Sequence, residues 1–414
     1  MTSLRDVVVT GLGATTPLGG DVASTWAAAL AGQSGARSLE NDWAERYEIP
    51  VTFAAQIKVK PEDVLPRPEI KRMDPSTQYA MIAAREAWAD AGSPDVDGDR
   101  LGAVVSSGIG GIWTTLDGWD TLKERGARRM LPMTVPMLMP NSPAAYVSLE
   151  FGARAGAHAL VSACASGAEA IGYGVDMIRA GRADVVVAGG TEATIHPMPI
   201  AAFAASRTLS LRNDDPQGAS RPYDVDRDGF VIGEGAGIVV LESAEHAAAR
   251  GARVYARIGG VGLSADAYHI TSPDPEGRGQ VAAMTRALGE AKVEARDVVH
   301  VNAHATSTKV GDLTETRSIR TVLGDDADHV LLSATKSMTG HLLGGAGALE
   351  TIFTVKAVHE RLAPPTINVA QPDPELQVPL VRDVPAELPA GDIAAINNSF
   401  GFGGHNVALV VTNA

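Results

Sequence analysis

Only one cysteine, Cys164, stands in 414 residues, so no disulfide forms within the chain and chemistry needing two thiols in one polypeptide is excluded. Aromatic residues are also scarce at 5%, while hydrophobic residues reach 45%, so Ala, Val, Leu and Ile must build the interior. Small side chains let helices and sheets approach closely, which suits stacked α/β layers. Long hydrophobic runs are missing. The stretches 185–188 and 237–241 fall far short of the roughly 20 residues of a bilayer span, so no membrane association is expected. Positive charge is in deficit, with 35 Lys and Arg against 49 Asp and Glu for a net −14, which repels nucleic acid and anionic surfaces. Residues 1–6 lead straight into the strand-like 7–10 with neither an apolar signal core nor an Arg-rich leader, so a cytoplasmic protein is expected.

Strand and helix patterns alternate along most of the length. Strands are predicted at 7–11, 102–106, 158–161 and 183–188, and helices at 76–92 and from Cys164 through Arg179. The same vocabulary recurs after about residue 252: strands at 253–262, 298–302 and 330–332, helices at 280–291 and 311–323. Leu160-Val-Ser-Ala-Cys164 echoes Leu331-Leu-Ser-Ala-Thr335, each an apolar run entering a stretch of small residues, which is compatible with two similar halves. Polar stretches at 211–229, 271–279 and 363–379 read as loops, the last extended by its prolines.

Cys164 lies where a predicted strand meets a predicted helix, and a helix N-terminus there would favour the nucleophilic thiolate. A lone cysteine is more often a small buried hydrophobe; its position and small neighbours argue otherwise. Of ten histidines, His304 and His341 lie just after strands, where α/β sheets carry their sites. No His-Glu-x-x-His pairing accompanies either, so zinc or a di-iron centre is not expected. Lys336, flanked by Ala334, Thr335 and Met338, reads as buried and paired, with Glu350 as counter-charge. The segment Asn397-Asn-Ser-Phe-Gly-Phe-Gly-Gly-His405 reads as a loop presenting backbone N–H groups to a developing oxyanion. Gly11-Leu-Gly13 is not continued as G-x-G-x-x-G, and no phosphate-binding loop motif occurs.

Together these segments resemble the condensing enzymes of the thiolase superfamily, specifically the type II β-ketoacyl-[acyl carrier protein] synthases of dissociated fatty-acid synthesis. The resemblance spans nearly the whole chain and rests on Val8-Val-Thr-Gly-Leu-Gly13, the segment around Cys164, Arg221-Pro-Tyr-Asp224 with Arg227-Asp-Gly-Phe230, Gly233-Glu-Gly-Ala-Gly237, Asn302-Ala-His304, Lys336 to His341, Gly347-Ala-Leu-Glu350 and Asn398 to Gly404. It implies a thiolase fold, a five-layered αβαβα core from two similar halves. The N-terminal half, 1–251, would carry the nucleophile and the C-terminal half, 252–414, the His and Lys residues. It also implies a homodimer.

By the same resemblance, Cys164 accepts the acyl group, and His304 and His341 promote decarboxylation of malonyl carrier protein and stabilise the enolate. Lys336 with Glu350 tunes those histidines. The N–H groups of Cys164 and Phe402 form the oxyanion hole, with Phe402 and Phe400 at the gate. Thr306, Thr308 and Thr271 meet the malonyl arm. Lys71, Arg72, Arg128, Arg129 and Arg207 dock the acyl carrier protein. No organic cofactor is implied; a structural Na+ or K+ at Asn302, Ala303, Glu350, Asn397 and Asn398 is. Ala305 and His405 depart from the family's usual Gly and Thr. A polyketide ketosynthase subunit or a non-catalytic partner subunit remain alternatives, and the single Cys excludes a thiolase, which needs two.

Overall fold

The computed structural model describes residues 5–414, so the N-terminal reading of residues 1–4 lies outside the described residues. Buried runs rich in Val, Ile and Ala become two sets of five strands. The first set is β1 Val7–Thr15, β2 Leu101–Ser106, β3 Gly156–His158, β4 Val185–Glu192 and β5 Gly235–Ser243. The second is β6 Ala256–Ala265, β7 Val298–Asn302, β8 Leu331–Ser333, β9 Ala394–Gly401 and β10 His405–Thr412. Each half-sheet has its strands in the order third, second, fourth, fifth, first. The second strand pairs parallel with the third and fourth, and the fifth pairs antiparallel with the fourth and first. β1 and β6 join the halves through only Val8 opposite Arg257 and Val9 opposite Ala256.

The principal helices are α1 Pro75–Asp90, α2 Ile112–Arg125, α3 Ser142–Phe151, α4 Ser166–Arg179, α5 Pro197–Ala205, α6 Arg278–Ala291, α7 Lys309–Leu323, the single turn α8 Lys336–Thr339, and α9 Ala346–Glu360. Helices α4 and α9 pack on each other and on strands of both half-sheets, while α1 and α3 cover the outer face of the first and α6, beside α7, that of the second. The result is the five-layered αβαβα core. Its middle layer explains why α9 is buried almost all round, with Leu349, Ile352, Phe353 and Val355 facing different neighbours.

Close packing of the outer layers is set by one pattern used twice. A Cβ on Gly13 would meet the carbonyl oxygen of Ala83 at 1.9 Å, and one on Gly262 would meet that of Ala283 at 1.8 Å. Gly11-Leu-Gly13 and Gly260-Val-Gly262 each lie on the first strand of their half and let α1 or α6 settle onto it. The sequence echo is not structurally exact: 331–335 begins with the third strand of its half, β8, whereas 160–164 lies just after the third strand of the other, β3.

Two element expectations need correction. The strand expected at 158–161 ends at His158, because 159–162 leave the sheet to form the turn before Cys164. The segment 397–405, expected as a loop, is a β-hairpin: Asn397 to Gly401 pair with His405 to Leu409, and only 402–404 form its tip. Among the described residues no helix is long and apolar enough to cross a membrane.

Candidate active site

Cys164 sits in a short 3-10 turn, Ala163–Ala165, between β3 and α4, and is buried. Ala163 takes a left-handed φ of 51°, rare for a residue with a Cβ, and marks the sharp corner that turns Cys164 into the molecule. Ser166 braces it: its Oγ–H donates to the carbonyl of Ala163 at 2.7 Å and its Oγ accepts from the N–H of Ser162 at 3.0 Å. Gly401 packs behind the turn, where a Cβ would lie 2.4 Å from the carbonyl oxygen of Ser162 and 3.2 Å from the nitrogen of Cys164.

The structure brings Cys164, His304 and His341 onto one cavity of 680 Å3, with Phe400 and Phe402 on its wall. His304 follows β7. His341 follows α8 and is held by the other half of the chain: its N–H donates to the carbonyl of Val231 at 2.7 Å and its carbonyl accepts from Gly233 at 2.8 Å. The two imidazoles meet edge to face with centroids 5.4 Å apart, and Phe230 packs edge-on against His341 at the same distance.

Lys336 is buried beneath them. Its Nζ lies 2.5 Å from Glu350 Oε1 and 3.4 Å from His304 Nδ1. An ammonium has no lone pair to offer, so His304 Nδ1 faces it as acceptor and the imidazole proton resides on Nε2. Burial, followed by the Lys336 charge, holds both histidines well below their ordinary pKa, so both are neutral imidazoles. Burial raises the Glu350 carboxyl, with Lys336 pulling against it.

Cys164 corrects an expectation. Burial pushes its thiol up to about 11, outweighing the N–H groups of Phe402 and of Cys164 itself and the charge of Lys336, all of which favour thiolate. A helix N-terminus alone does not produce a resting thiolate in a dry pocket. Those two N–H groups are nonetheless the pair expected to form the oxyanion hole.

Thr306, Thr308, Thr271 and Arg207 line the same cavity, the last two at its exposed mouth. Thr306 and Thr308 place their Oγ atoms 3.2 Å apart. Lys71, Arg72, Arg128 and Arg129 are exposed and lie outside the cavity lining. A smaller pocket of 310 Å3 adjoins the first, sharing Ile109, Phe203 and Phe402 as walls and adding the apolar Ile112, Met198, Pro199 and Ala202. At the expected cation site, Glu350 Oε2, Asn397 Oδ1 and Asn398 Oδ1 are buried without a donor. Their amide nitrogens are committed, Asn397 Nδ2 to the Gly347 carbonyl and Asn398 Nδ2 to Glu315, so the oxygens cannot be exchanged away. Asn302 Oδ1 already accepts from Thr335 Oγ1–H at 3.3 Å.

Three buried carboxylates near the site escaped the sequence reading. Glu315 accepts the N–H of His304 at 2.9 Å and of Ala305 at 2.8 Å, fixing the backbone that presents the imidazole. Asp312, Glu315, Ile319 and Leu323 recur at three- and four-residue spacing on α7, so carboxylates on an otherwise apolar stripe were the available signal. Glu192, at the end of β4, accepts from Ser107 Oγ–H at 2.6 Å, Gly108 N–H at 2.9 Å and Gly344 N–H at 3.0 Å, tying the cavity wall to the turn after His341. Ala305 is buried and accommodated without a left-handed backbone, so the family's usual Gly is not required there.

A cysteine at a strand-to-helix corner, two neutral imidazoles and a buried Lys–Glu pair within a duplicated five-layer fold define a ketosynthase. The family models agree: the β-ketoacyl synthase N-terminal domain matches residues 4–247 and the β-ketoacyl synthase C-terminal domain residues 255–370, and the chain belongs to the β-ketoacyl synthase family. It is 46% identical over 414 residues, 99% of each chain, to 3-oxoacyl-[acyl-carrier-protein] synthase 2 of Staphylococcus aureus strain N315. Among solved structures, a β-ketoacyl synthase from Burkholderia phymatum superimposes with a TM-score of 0.89 at 33% identity, covering 99% of this chain and 100% of that one. The type II polyketide ketosynthase in the AntDE:AntF complex, solved with its acyl carrier protein, gives 0.92 at 31% identity with full coverage of both.

Proposed function

We propose that the protein catalyses decarboxylative Claisen condensation in fatty-acid chain elongation, joining an acyl group held on Cys164 to malonyl-acyl carrier protein. The observation that carries this reading is the pair of neutral imidazoles facing the same cavity as the single thiol, with Lys336 behind His304. Cys164 Sγ attacks the acyl thioester carbonyl, the oxyanion is received by the N–H groups of Cys164 and Phe402, and the carrier leaves as its free thiol. The thiol proton leaves sulfur as the carbon–sulfur bond forms, and the departing carrier thiolate takes up one proton, so this half-reaction is proton-neutral. Malonyl carrier protein then loses its carboxylate as CO2. The electron pair of the broken bond becomes an enolate, whose oxygen accepts hydrogen bonds from His304 and His341. The enolate carbon attacks the acyl-Cys164 carbonyl and expels the cysteine sulfur, which regains a proton. The product is 3-oxoacyl carrier protein.

Lys336 acts at a distance by disfavouring imidazolium. Thr306, Thr308 and Thr271 hold the malonyl arm; the apolar pocket beyond Ile109 and Phe402 takes the growing chain, with Phe400 and Phe402 at the gate. Lys71, Arg72, Arg128, Arg129 and Arg207 supply the local positive charge an acidic carrier needs on a molecule of net −14. Glu350, Asn397 and Asn398, with Asn302 and Ala303 beside them, would hold a structural Na+ or K+, since three buried oxygens without donors suit a hard cation. The working form is a homodimer located in the cytoplasm, built from halves 1–251 and 252–414. Exposed apolar side chains, Trp119 and Leu122 on α2, a helix with no buried residue, and Leu131 and Val135 after it, support the dimer.

Intact-protein mass after incubation with a panel of acyl carrier thioesters tests the reading. An adduct of acyl mass is expected, absent in Cys164→Ala and consumed on adding malonyl carrier protein. A folded protein that loads no chain of the panel overturns it. A preference for polyketide intermediates over saturated chains overturns the fatty-acid assignment alone.

A further inference from the structure

Arg227 heads the fully buried side chains by volume among the described residues, and the chemistry above gives it no task. A buried guanidinium needs partners for its five N–H groups. Nε donates to the carbonyl of Thr308 at 3.2 Å, Nη2 to the carbonyl of Lys309 at 3.0 Å, and Nη1 to the carbonyl of Asp224 at 2.7 Å. Two carboxylates balance the charge, Asp312 at 3.3 Å and Asp373 at 3.0 Å. Asp312 in turn accepts the N–H of Thr308 at 3.2 Å and of Tyr223 at 3.1 Å. The Arg227–Asp312 pair therefore grips both the C=O and the N–H of Thr308.

The neighbouring residue shows why such a grip is needed. Ser307 has a left-handed φ of 70°, which a residue with a Cβ adopts only when its surroundings impose it. Its Oγ accepts from Arg221 N–H at 3.0 Å and its carbonyl from Gly229 N–H at 3.1 Å, both from the stretch that carries Arg227. The corner turns Thr306 and Thr308 so that both line the cavity with their hydroxyls 3.2 Å apart. Arg227 stands behind this wall and is not among the residues lining the cavity.

We propose that Arg227 is a positioning residue for the second half-reaction: it fixes the 306–309 wall so that the Thr306 and Thr308 hydroxyls receive the malonyl-bearing arm. Arg227 makes no hydrogen bond to Cys164, His304 or His341, so its loss is expected to act on the Thr306–Thr308 wall rather than on the nucleophile. The proposal rests on the reading that the Thr306–Thr308 wall holds the malonyl arm. Lysine keeps the charge but not the planar fork, so it cannot hold the carbonyls of Thr308, Lys309 and Asp224 together.

The test measures both half-reactions in Arg227→Lys, in full-length protein checked for folding by near-UV circular dichroism. Loading of Cys164, followed by mass, is expected within about twofold of wild type, while KM for malonyl carrier protein rises roughly tenfold with little change in kcat. In combination with Thr308→Ala the two effects should not add, because both act through one wall. Loading and condensation falling together would show a merely structural pin and overturn the proposal, as would an unchanged KM in a folded variant. If Arg227→Lys does not fold, Asp373→Asn, which removes one outer partner of the guanidinium, takes its place with the same split of smaller size and the same overturning outcomes. The underlying reading fails separately: Thr306→Ala and Thr308→Ala would then leave the malonyl KM of an otherwise active protein unchanged.

Discussion

Lys336 forms no bond to substrate in the proposed chemistry, yet its charge adds to burial in setting the state of the residues that do. Burial and Lys336 together hold His304 and His341 well below 6.5, so the unfolded chain binds protons that the folded one refuses. Their contribution to stability is present above about pH 6.5 and is lost as pH falls below it. Neutral imidazole is the form that donates to the enolate, so the acid limb of the condensation rate is expected well below pH 6.5, flat from there to pH 8. Lys336→Ala removes a cation 3.4 Å from His304 and leaves Glu350 buried without its partner. The His304 pKa then rises, the acid limb moves to higher pH, and kcat falls by about 10²-fold. A pH–rate profile of wild type beside the variant checks this; a limb that stays put contradicts the role given to Lys336. At this scale the sequence disclosed Cys164, His304, His341, Lys336 and Glu350, because position at a strand end or among small apolar neighbours marks them. It did not disclose Glu192 or Glu315, and it marked Arg227 only as part of a motif, without a role. A carboxylate or guanidinium on a helix, a loop or a strand end reads as solvated until the partner N–H and C=O groups, distant in sequence, are seen around it.

Strand β9 and helix α9 meet along a line where backbone pairing and side-chain chemistry are both committed. Asn397 and Asn398 take part in the β9–β10 ladder, while their side-chain oxygens and Glu350 Oε2 from α9 are buried without donors. A cation between the two elements would stabilise the folded state by about 2.7 kcal/mol at a hundredfold excess over its Kd. Melting in K+ or Na+ salts is therefore expected at higher temperature than in an equal concentration of a bulky organic cation, and Asn398→Leu should abolish the difference. Equal Tm values in all salts for the wild type would remove the cation from the account. Most element boundaries were legible from apolar periodicity and Gly punctuation. The hairpin at 394–412 was not, because the glycines near its tip imitate a loop while Asn397 to Ser399 are polar residues buried within a central strand.

The whole molecule carries −14, so a carrier protein, itself acidic, must be drawn to a local patch rather than to the global field. Reversing the exposed Arg128 and Arg129 to Glu is expected to raise KM for carrier-bound substrates roughly tenfold at low salt, less at high salt, and to leave small thioester analogues unaffected. Equal effects on both substrate classes would dismiss the docking patch, and a monomer in sedimentation would dismiss the homodimer. By itself the sequence determined the α/β class, the family, the Cys and His residues that stand as candidates for the chemistry, and the exclusion of two-thiol chemistry. Local patterns encode these: strand and helix periods, a single Cys, and motifs in a fixed order. Only the tertiary structure decided that the thiol is protonated at rest and that the imidazoles are neutral. It alone placed carboxylates and a guanidinium behind the site, and it alone showed Gly11-Leu-Gly13 to be packing repeated in the other half. Burial and long-range hydrogen bonding set pKa and position, and both belong to residues far apart in the chain.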